Sequence, residues 1–363
     1  MPNFSPTRLS IARRRRGMTQ KALSERCAVS VQLMSFFEKG ERTPQQEEIF
    51  KLSFALGFPP GFFYADDVCL LDPDIPSFRS RRSMTSRLRD AALASGELAS
   101  EIVSPDLNKK FVLPNINIPD LSGYTPEDAA DLLRVEWQLG LGPVSNMVHL
   151  LESKGVEVYW LNEESPSVDA FSFWRDSKPF VLLNSHKNSG ERSRFDAAHE
   201  LAHVVLHRNI NNLDRQDIEN EANQFASAFL MPRLQVEVEW PKRPELYLLY
   251  ELKKRWKVSV AAMIYRGKDV GIFSEWQARD AFKKLSAAGM RTKENEPVTV
   301  EISFIHKMIF ESFAKNNITP DQYARQLWMN TSSLAELMPS AREFLPKYPE
   351  GRVIEKRHMK LIS

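Results

Sequence analysis

The most informative segment of this chain is Phe195-Asp196-Ala197-Ala198-His199-Glu200-Leu201-Ala202-His203. On a helix, imidazoles four residues apart project from the same face, so His199 and His203 can bind one divalent ion. Glu200 stands between them and can hold and deprotonate a water on that ion. The stretch therefore predicts the centre of a metallopeptidase.

A third metal ligand is expected from a second predicted helix, which runs from Ile218 to Met231. Glu219 and Asn223 share one face of this helix at a spacing of four residues, whereas Glu221 points to another face. Glu219 is therefore the predicted ligand and Glu221 is the alternative. Asn223 is expected beside the ligands.

Three further residues are candidates for a supporting role near the metal. His207 is rotated by about 80° from His199 on a straight helix, which makes it a poor third ligand. We expect it at the helix end, behind the ligands. An oxyanion-stabilising donor is also needed, and the sequence offers Tyr265 and Arg266 without choosing between them.

The first sixty residues have the pattern of four short helices. The first is predicted from Pro6 to about Gly17, and the residues Thr19 and Ser30 are predicted to cap the second and third helices. A fourth helix is expected to end at Gly57. Up to Tyr64 the chain has ten Lys and Arg against five Asp and Glu, and this positive charge favours a polyanionic partner.

The segments Met18-Thr19-Gln20, Leu23-Ser24, Val29-Ser30 and Glu38-Lys39-Gly40-Glu41-Arg42-Thr43-Pro44 resemble the XRE-type helix-turn-helix family over residues 6–64. The resemblance implies a DNA operator as partner and two groups of contacts. Bases or phosphates in the major groove would be faced by Gln20, Gln32 and Ser35. Phosphates would be neutralised by Arg42 and by the run Arg13 to Arg16, which includes Arg14. The alternative is a helical protein-interaction bundle with solvated arginines.

Residues 67–124 are predicted to be a partly helical linker between domains, with one helix from Thr85 to Ile102. The basic run from Arg79 to Arg89 is either a nucleic-acid contact or a solvated helix face. A helix is predicted after Thr125, and Met147 to Lys154 forms another. Three strands then lead to the metal-binding helix: Val156 to Trp160, Ala170 to Trp174 and Pro179 to Asn184. A sheet edge beside that helix can pair with an extended peptide, although an ordinary α+β core has the same pattern.

At this point the chain resembles the ImmA/IrrE-type metallopeptidases over residues 125–290. The resemblance rests on Arg194-Phe195, His199 to His203, Leu206-His207, Glu219 to Ala226 and Leu230-Met231-Pro232. It implies a gluzincin-like site in which His199, His203 and Glu219 hold one zinc ion, or another divalent metal. Glu200 would be the general base and the fourth position would be open for water. The family cuts helix-turn-helix repressors, so the substrate here is either a partner repressor, the chain's own linker or no protein at all.

The C-terminal region, residues 291–363, is predicted to be helical. Helices are expected over Ser303 to Lys315, Gln322 to Met329 and Ser332 to Leu337, and the last two have helix-turn-helix rhythm. This region is either an accessory domain for sensing or partner binding, or a cap over the core. The basic end from Glu355 to Ser363 is expected to fray. Upstream, Leu252 to Arg266 has two helical patterns that are expected to pack on the peptidase core.

The expected fold class is α+β, mainly α: an all-α helix-turn-helix domain (1–66), the linker, a peptidase domain with a small sheet (125–290), and the helical region. The 42% hydrophobic and 26% charged residues are typical of globular proteins. Two single cysteines, no signal-peptide pattern and no long apolar stretch predict a cytoplasmic protein with no membrane partner. We expect a homodimeric regulator with a fused zinc endopeptidase. The alternative is a non-proteolytic, antitoxin-like regulator.

Overall fold

The computed structural model describes residues 3–72, 85–161, 170–184, 189–208, 215–291, 294 and 296–346. Within these residues the chain forms seventeen α-helices and three strands. The helices are α1 (Pro6–Arg15), α2 (Gln20–Cys27), α3 (Val31–Lys39), α4 (Gln46–Leu56), α5 (Ser86–Leu98), α6 (Ser104–Lys110), α7 (Pro126–Glu136), α8 (Met147–Ser153), α9 (Gly190–Leu206), α10 (Arg215–Leu230), α11 (Arg233–Glu239), α12 (Leu246–Trp256), α13 (Val260–Asp269), α14 (Glu275–Ala287), α15 (Phe304–Lys315), α16 (Pro320–Gln326) and α17 (Thr331–Leu337). The strands are β1 (Glu157–Leu161), β2 (Ala170–Arg175) and β3 (Lys178–Asn184). The predicted class, α+β and mainly α, is confirmed.

Helices α1 to α4 form the predicted N-terminal domain, and their ends follow from local chemistry. The hydroxyls of Ser5, Thr19 and Ser30 each accept a hydrogen bond from the backbone N–H three residues on, which caps α1, α2 and α3. Gly40 and Gly57 end α3 and α4 in the left-handed conformation that glycine adopts without strain. Ala28 ends α2 in the same left-handed conformation and Ser30 begins α3, so both ends of the turn between these helices are fixed.

The three strands form one small sheet in the order β1-β3-β2. β1 pairs with β3 in parallel, and β2 pairs with β3 antiparallel, so that β1 and β2 are the edges. Side chains alternate between the two faces of each strand. On β2, Ser172 contacts Glu200 of α9, whereas Phe171 and Phe173 lie on the opposite face near Gly96 of α5.

Residues 86–110, within the predicted linker, form one helical segment. Helix α5 continues through a π-helical segment over residues 99–103 into α6. Every residue from Ala91 to Ser100 is buried, because α1 covers one side of this segment and the sheet covers another. The predicted basic run begins at Arg79, and its part before Thr85 lies outside the described residues.

The sheet separates two hydrophobic cores. One face, with Val158, Trp160 and Leu183, belongs to the core around α9 and α10. The other face, with Tyr159, Phe171 and other apolar residues, belongs to a core shared by α1 to α4, α5, α6 and the C-terminal helices α15 to α17. The N-terminal domain and the C-terminal region are therefore packed together, on the side of the sheet away from α9.

The helices α12 and α13 pack on the peptidase core, as the sequence predicted. Trp256, Val258 and Met263 are buried there, and the indole N–H of Trp240 donates a hydrogen bond to the carbonyl of Met263. In the described part of the chain, no helix combines the length and the hydropathy needed to cross a membrane.

Candidate metal centre and nucleic-acid face

Helix α9 contains the segment from Phe195 to His203 and passes through the core around α9 and α10. Ser189 caps it by accepting a hydrogen bond from the N–H of Arg192. His199 and Glu200 are completely buried, and His203 is 3% exposed. Buried polar side chains on one helix require polar partners, and here those partners come from α10 and β2.

The structure brings together His199, His203 and Glu219, and their ligand atoms all lie within 4.8 Å of one another. The two Nε2 atoms are 3.1 Å apart. Oε2 of Glu219 is 3.3 Å from Nε2 of His199, and Oε1 is 3.6 Å from Nε2 of His203. Zinc with bonds of about 2.0–2.1 Å to tetrahedral ligands needs ligand atoms roughly 3.3 Å apart. The three residues therefore fit a zinc ion.

The other ring nitrogens of the two histidines also have partners. Nδ1 of His199 lies 3.2 Å from Oδ1 of Asn223, and Nδ1 of His203 lies 2.9 Å from Nδ1 of His207. These contacts turn both Nε2 atoms toward Glu219 and fix the ring orientations. His207 and Asn223 thus lie beside the two histidines.

Glu221 faces His207. Its Oε2 lies 3.0 Å from Nε2 of His207. Burial lowers the pKa of the His207 imidazole, and the Glu221 carboxylate opposes this effect by stabilising the charged ring. Glu221, the alternative ligand of the sequence analysis, is therefore linked to the metal-ligand cluster through His207. The cluster itself contains Glu219.

Glu200 accepts a hydrogen bond of 2.7 Å from the hydroxyl of Ser172 on β2. Ser172 is 3% exposed, so this bond is shielded from water. The sequence analysis did not find Ser172. The signal that was available is the alternation along β2, which puts this polar residue on the same face as Trp174, whose indole N–H donates to the carbonyl of Val204 on α9.

The two candidates for the oxyanion donor have other contacts. The Arg266 guanidinium donates to both carboxylate oxygens of Glu127, at 2.8 and 2.6 Å, and to the carbonyl of Met231. The ring of Tyr265 packs against Phe282, with centroids 4.6 Å apart.

The residues proposed to face DNA are grouped around α3. Gln32 and Arg42 are exposed, and Ser35 is half-buried. The side-chain amide of Gln20 donates to Glu38 at 2.8 Å. The N-terminal half of α3 therefore presents polar groups at the surface of its domain.

The arginine run of α1 faces other parts of the protein. The Arg13 guanidinium donates to both carboxylate oxygens of Glu38, and Arg14 donates to the buried Glu97 of α5 at 2.6 Å. Burial raises the pKa of Glu97, and the neighbouring Arg14 opposes that shift. Because Arg13 and Arg14 are paired with internal carboxylates, we do not assign them to phosphate.

A helix bearing His-Glu-x-x-His, completed by a glutamate of the next helix, defines a metallopeptidase-like domain. Family comparisons agree: residues 151–268 match the metallopeptidase family described as the IrrE N-terminal-like domain. Residues 9–63 match a helix-turn-helix family. The predicted fusion of these two domains is thereby confirmed. No curated protein matches the chain.

Proposed function

We propose that this protein is a DNA-binding transcriptional regulator with a fused zinc-dependent endopeptidase. The observation that carries the proposal is the cluster of His199, His203 and Glu219 with Glu200 on the same helix. The substrate is a helix-turn-helix repressor or the chain itself, and the setting is a response to stress, DNA damage or a mobile element. The helix-turn-helix and IrrE-like family matches support this reading.

The proposed chemistry uses residues of both α9 and β2. His199, His203 and Glu219 would hold the ion, which supplies Lewis acidity toward the scissile carbonyl when bound. Glu200 accepts a proton from the attacking water and passes it to the leaving amine. The hydroxyl of Ser172 holds one oxygen of Glu200 in place, and this leaves the carboxylate little rotational freedom.

A peptide substrate is supported by the position of β2. This strand is an edge of the sheet, and Ser172 at its centre bonds to Glu200. An extended peptide that adds to such an edge forms backbone hydrogen bonds along its length. Its scissile bond would then lie next to the proposed base.

DNA binding is assigned to the exposed residues Gln32 and Arg42, with Ser35 and Gln20 beside them. Domains of this kind read paired half-sites as dimers. The proposal therefore includes a homodimer that binds operator DNA in the cytoplasm. Arg42 contributes to affinity through phosphate, and Gln32 contributes to sequence recognition through a base edge.

A second candidate function is a non-proteolytic, antitoxin-like regulator that uses the metal fold to bind protein. The observation that favours it is the burial of the proposed base, since Glu200 has no exposed surface. A general base must come within hydrogen-bond distance of the attacking water. In this alternative, the ion only stabilises the fold.

The test compares wild type with Glu200→Gln. Metal content is measured by inductively coupled plasma mass spectrometry. Intact-mass spectrometry then follows the chain together with a candidate repressor. One zinc in both proteins, with fragments from wild type alone, supports the peptidase. One zinc in both without fragments favours the second candidate, and absence of metal removes the basis of the enzyme proposal.

A further inference from the structure

The helices α15 to α17 repeat the capping pattern of α1 to α3. Thr319 lies 300 positions after Thr19, and each threonine accepts a hydrogen bond from the N–H three residues on. Asn330 lies 300 positions after Ser30, and these two residues cap α17 and α3 in the same way. The C-terminal helices therefore begin at equivalent positions.

The turns of the two units also match. Gly17 and Asn317 both have φ of 58°, and Ala28 and Trp328 have φ of 53° and 54°. Positive φ is uncommon in residues other than glycine, so its recurrence at the same spacing is informative. Side chains are buried at equivalent positions as well, in the pairs Leu23 and Tyr323, Cys27 and Leu327, Met34 and Leu334, and Phe37 and Leu337. Residues 303–338 thus have the form of a second helix-turn-helix unit.

The helix that corresponds to the recognition helix is in contact with protein. Glu336 of α17 accepts a hydrogen bond of 2.7 Å from Arg15, and Ser333 accepts one of 3.1 Å from Arg16. Ala335, which stands where the first unit has Ser35, is buried. Two of the four polar side chains of α17, those of Ser333 and Glu336, are therefore bonded to α1.

Two further contacts extend this interface to the end of α4. The side-chain amide of Asn330 donates to the carbonyl of Gly57. The indole of Trp328 lies over Gly61, so closely that a Cβ atom at this position would clash with the ring. The turn and the start of α17 together cover one surface of the N-terminal domain.

We propose that residues 303–338 are a second helix-turn-helix unit that binds protein instead of DNA, and that its partner is the surface of the first unit formed by Arg15, Arg16, Gly57 and Gly61. The charges agree with this assignment. A carboxylate on the recognition helix repels phosphate, whereas it attracts arginine, and the side chain of Arg15 is only 1% exposed in this contact. The assignment does not depend on peptidase activity.

The first test is amide hydrogen exchange on the full chain. Trp328→Ala removes the indole from Gly61, and Glu336→Gln removes the charge that faces Arg15. Exchange in residues 12–17 and 56–63 should rise by about tenfold in both variants, while α9 is unchanged. Glu343→Gln is the matched control, because its side chain is 48% exposed on the same C-terminal segment. Equal exchange in the control and in both variants would overturn the proposed docking surface.

The second test adds a mixed-sequence DNA duplex of about 30 base pairs, long enough for two half-sites. DNA should slow amide exchange in α2 and α3 and leave residues 330–337 as they are without DNA. Slower exchange in residues 330–337 would show that the second unit contacts DNA and would refute the assignment. The same measurement is then made on the Trp328→Ala variant, in which the interface is weakened and every charge is kept.

Discussion

His207 links Glu221 to His203, with Nε2 of the ring 3.0 Å from the carboxylate and Nδ1 2.9 Å from Nδ1 of His203. A carboxylate only accepts, so Nε2 of His207 carries the proton and its Nδ1 is an acceptor. His203 then donates from Nδ1, which leaves its Nε2 lone pair for a metal ion. Glu221 thereby selects the metal-binding tautomer of a residue that it does not touch.

Glu221→Gln should lower zinc affinity by about 10- to 100-fold. The new amide can donate to Nε2 of His207. This reverses the direction of both hydrogen bonds and moves the proton of His203 to Nε2. Competition with a chelator measures the affinity. Glu237→Gln is the control, because Glu237 is an exposed acid on α11. Equal affinities in the two variants would refute the tautomer argument.

Ser172→Ala should lower the free energy of unfolding by about 1–3 kcal/mol, because a buried carboxylate loses a donor. The zinc content should stay at the wild-type value, since Ser172 is not a ligand. Urea denaturation and metal analysis check the two statements. Ser286→Ala on the exposed face of α14 provides the comparison, and a matching loss there would remove the special role of the Ser172 bond.

Glu152 predicts a pH dependence of stability. Burial raises the pKa of this carboxyl from 4.5 to about 7, although Ser303 and the N–H groups of Phe304 and Ile305 donate to it. The folded protein therefore binds the proton more tightly than the unfolded chain. The contribution of Glu152 to the free energy of unfolding is complete below pH 4.5 and is lost as the pH rises toward about 7.

Between these two pH values, the free energy of unfolding of wild type should fall by up to about 3 kcal/mol relative to that of Glu152→Gln, which cannot titrate. Urea denaturation at several pH values measures the difference. His306 is buried, and its pKa is lowered to about 3, which gives the opposite slope. Because both proteins contain His306, its effect cancels in the comparison. A difference that does not change with pH would contradict the raised pKa of Glu152.

Gly61→Ala should destabilise the protein by about 1–3 kcal/mol through the clash with Trp328. The φ of Gly61 is outside the left-handed region, so only the contact opposes alanine. Combining it with Trp328→Ala should restore most of that loss, and thermal unfolding of the four proteins gives the coupling. Gly142→Ala is the control, since a Cβ atom there would meet no other atom within 4 Å and its φ is also ordinary. Additive effects of the two substitutions would contradict the clash.

The sequence predicted the elements whose signals are local. His199 and His203 share a face because of helical geometry, and Thr19 and Ser30 cap helices through their own neighbours. The three strands were predicted within one or two residues of their observed bounds. In each case the interaction that determines the structure spans four residues or fewer, or follows the alternation of a strand.

The arginine run shows what the sequence leaves open. The partner of Arg14 is Glu97, 83 residues away, and that of Arg15 is Glu336, 321 residues away. A run of positive charge looks the same whether phosphate or a distant carboxylate neutralises it. Likewise, the alanines of α5 gave no sign that helices of two domains and a sheet would surround them.

Strand β2 has a mechanical consequence. Phe171 and Phe173 are anchored in the core that the DNA-binding domain shares, and Ser172 between them bonds to the carboxylate on α9. Neighbouring residues of a strand cannot move independently, because planar peptide units of fixed length join them. A shift of the two phenylalanines would therefore also move the backbone of Ser172, which is joined to both. A change of packing around Phe171 and Phe173 would then alter the hydrogen bond between Ser172 and Glu200. This coupling runs along the strand and requires no bound ligand.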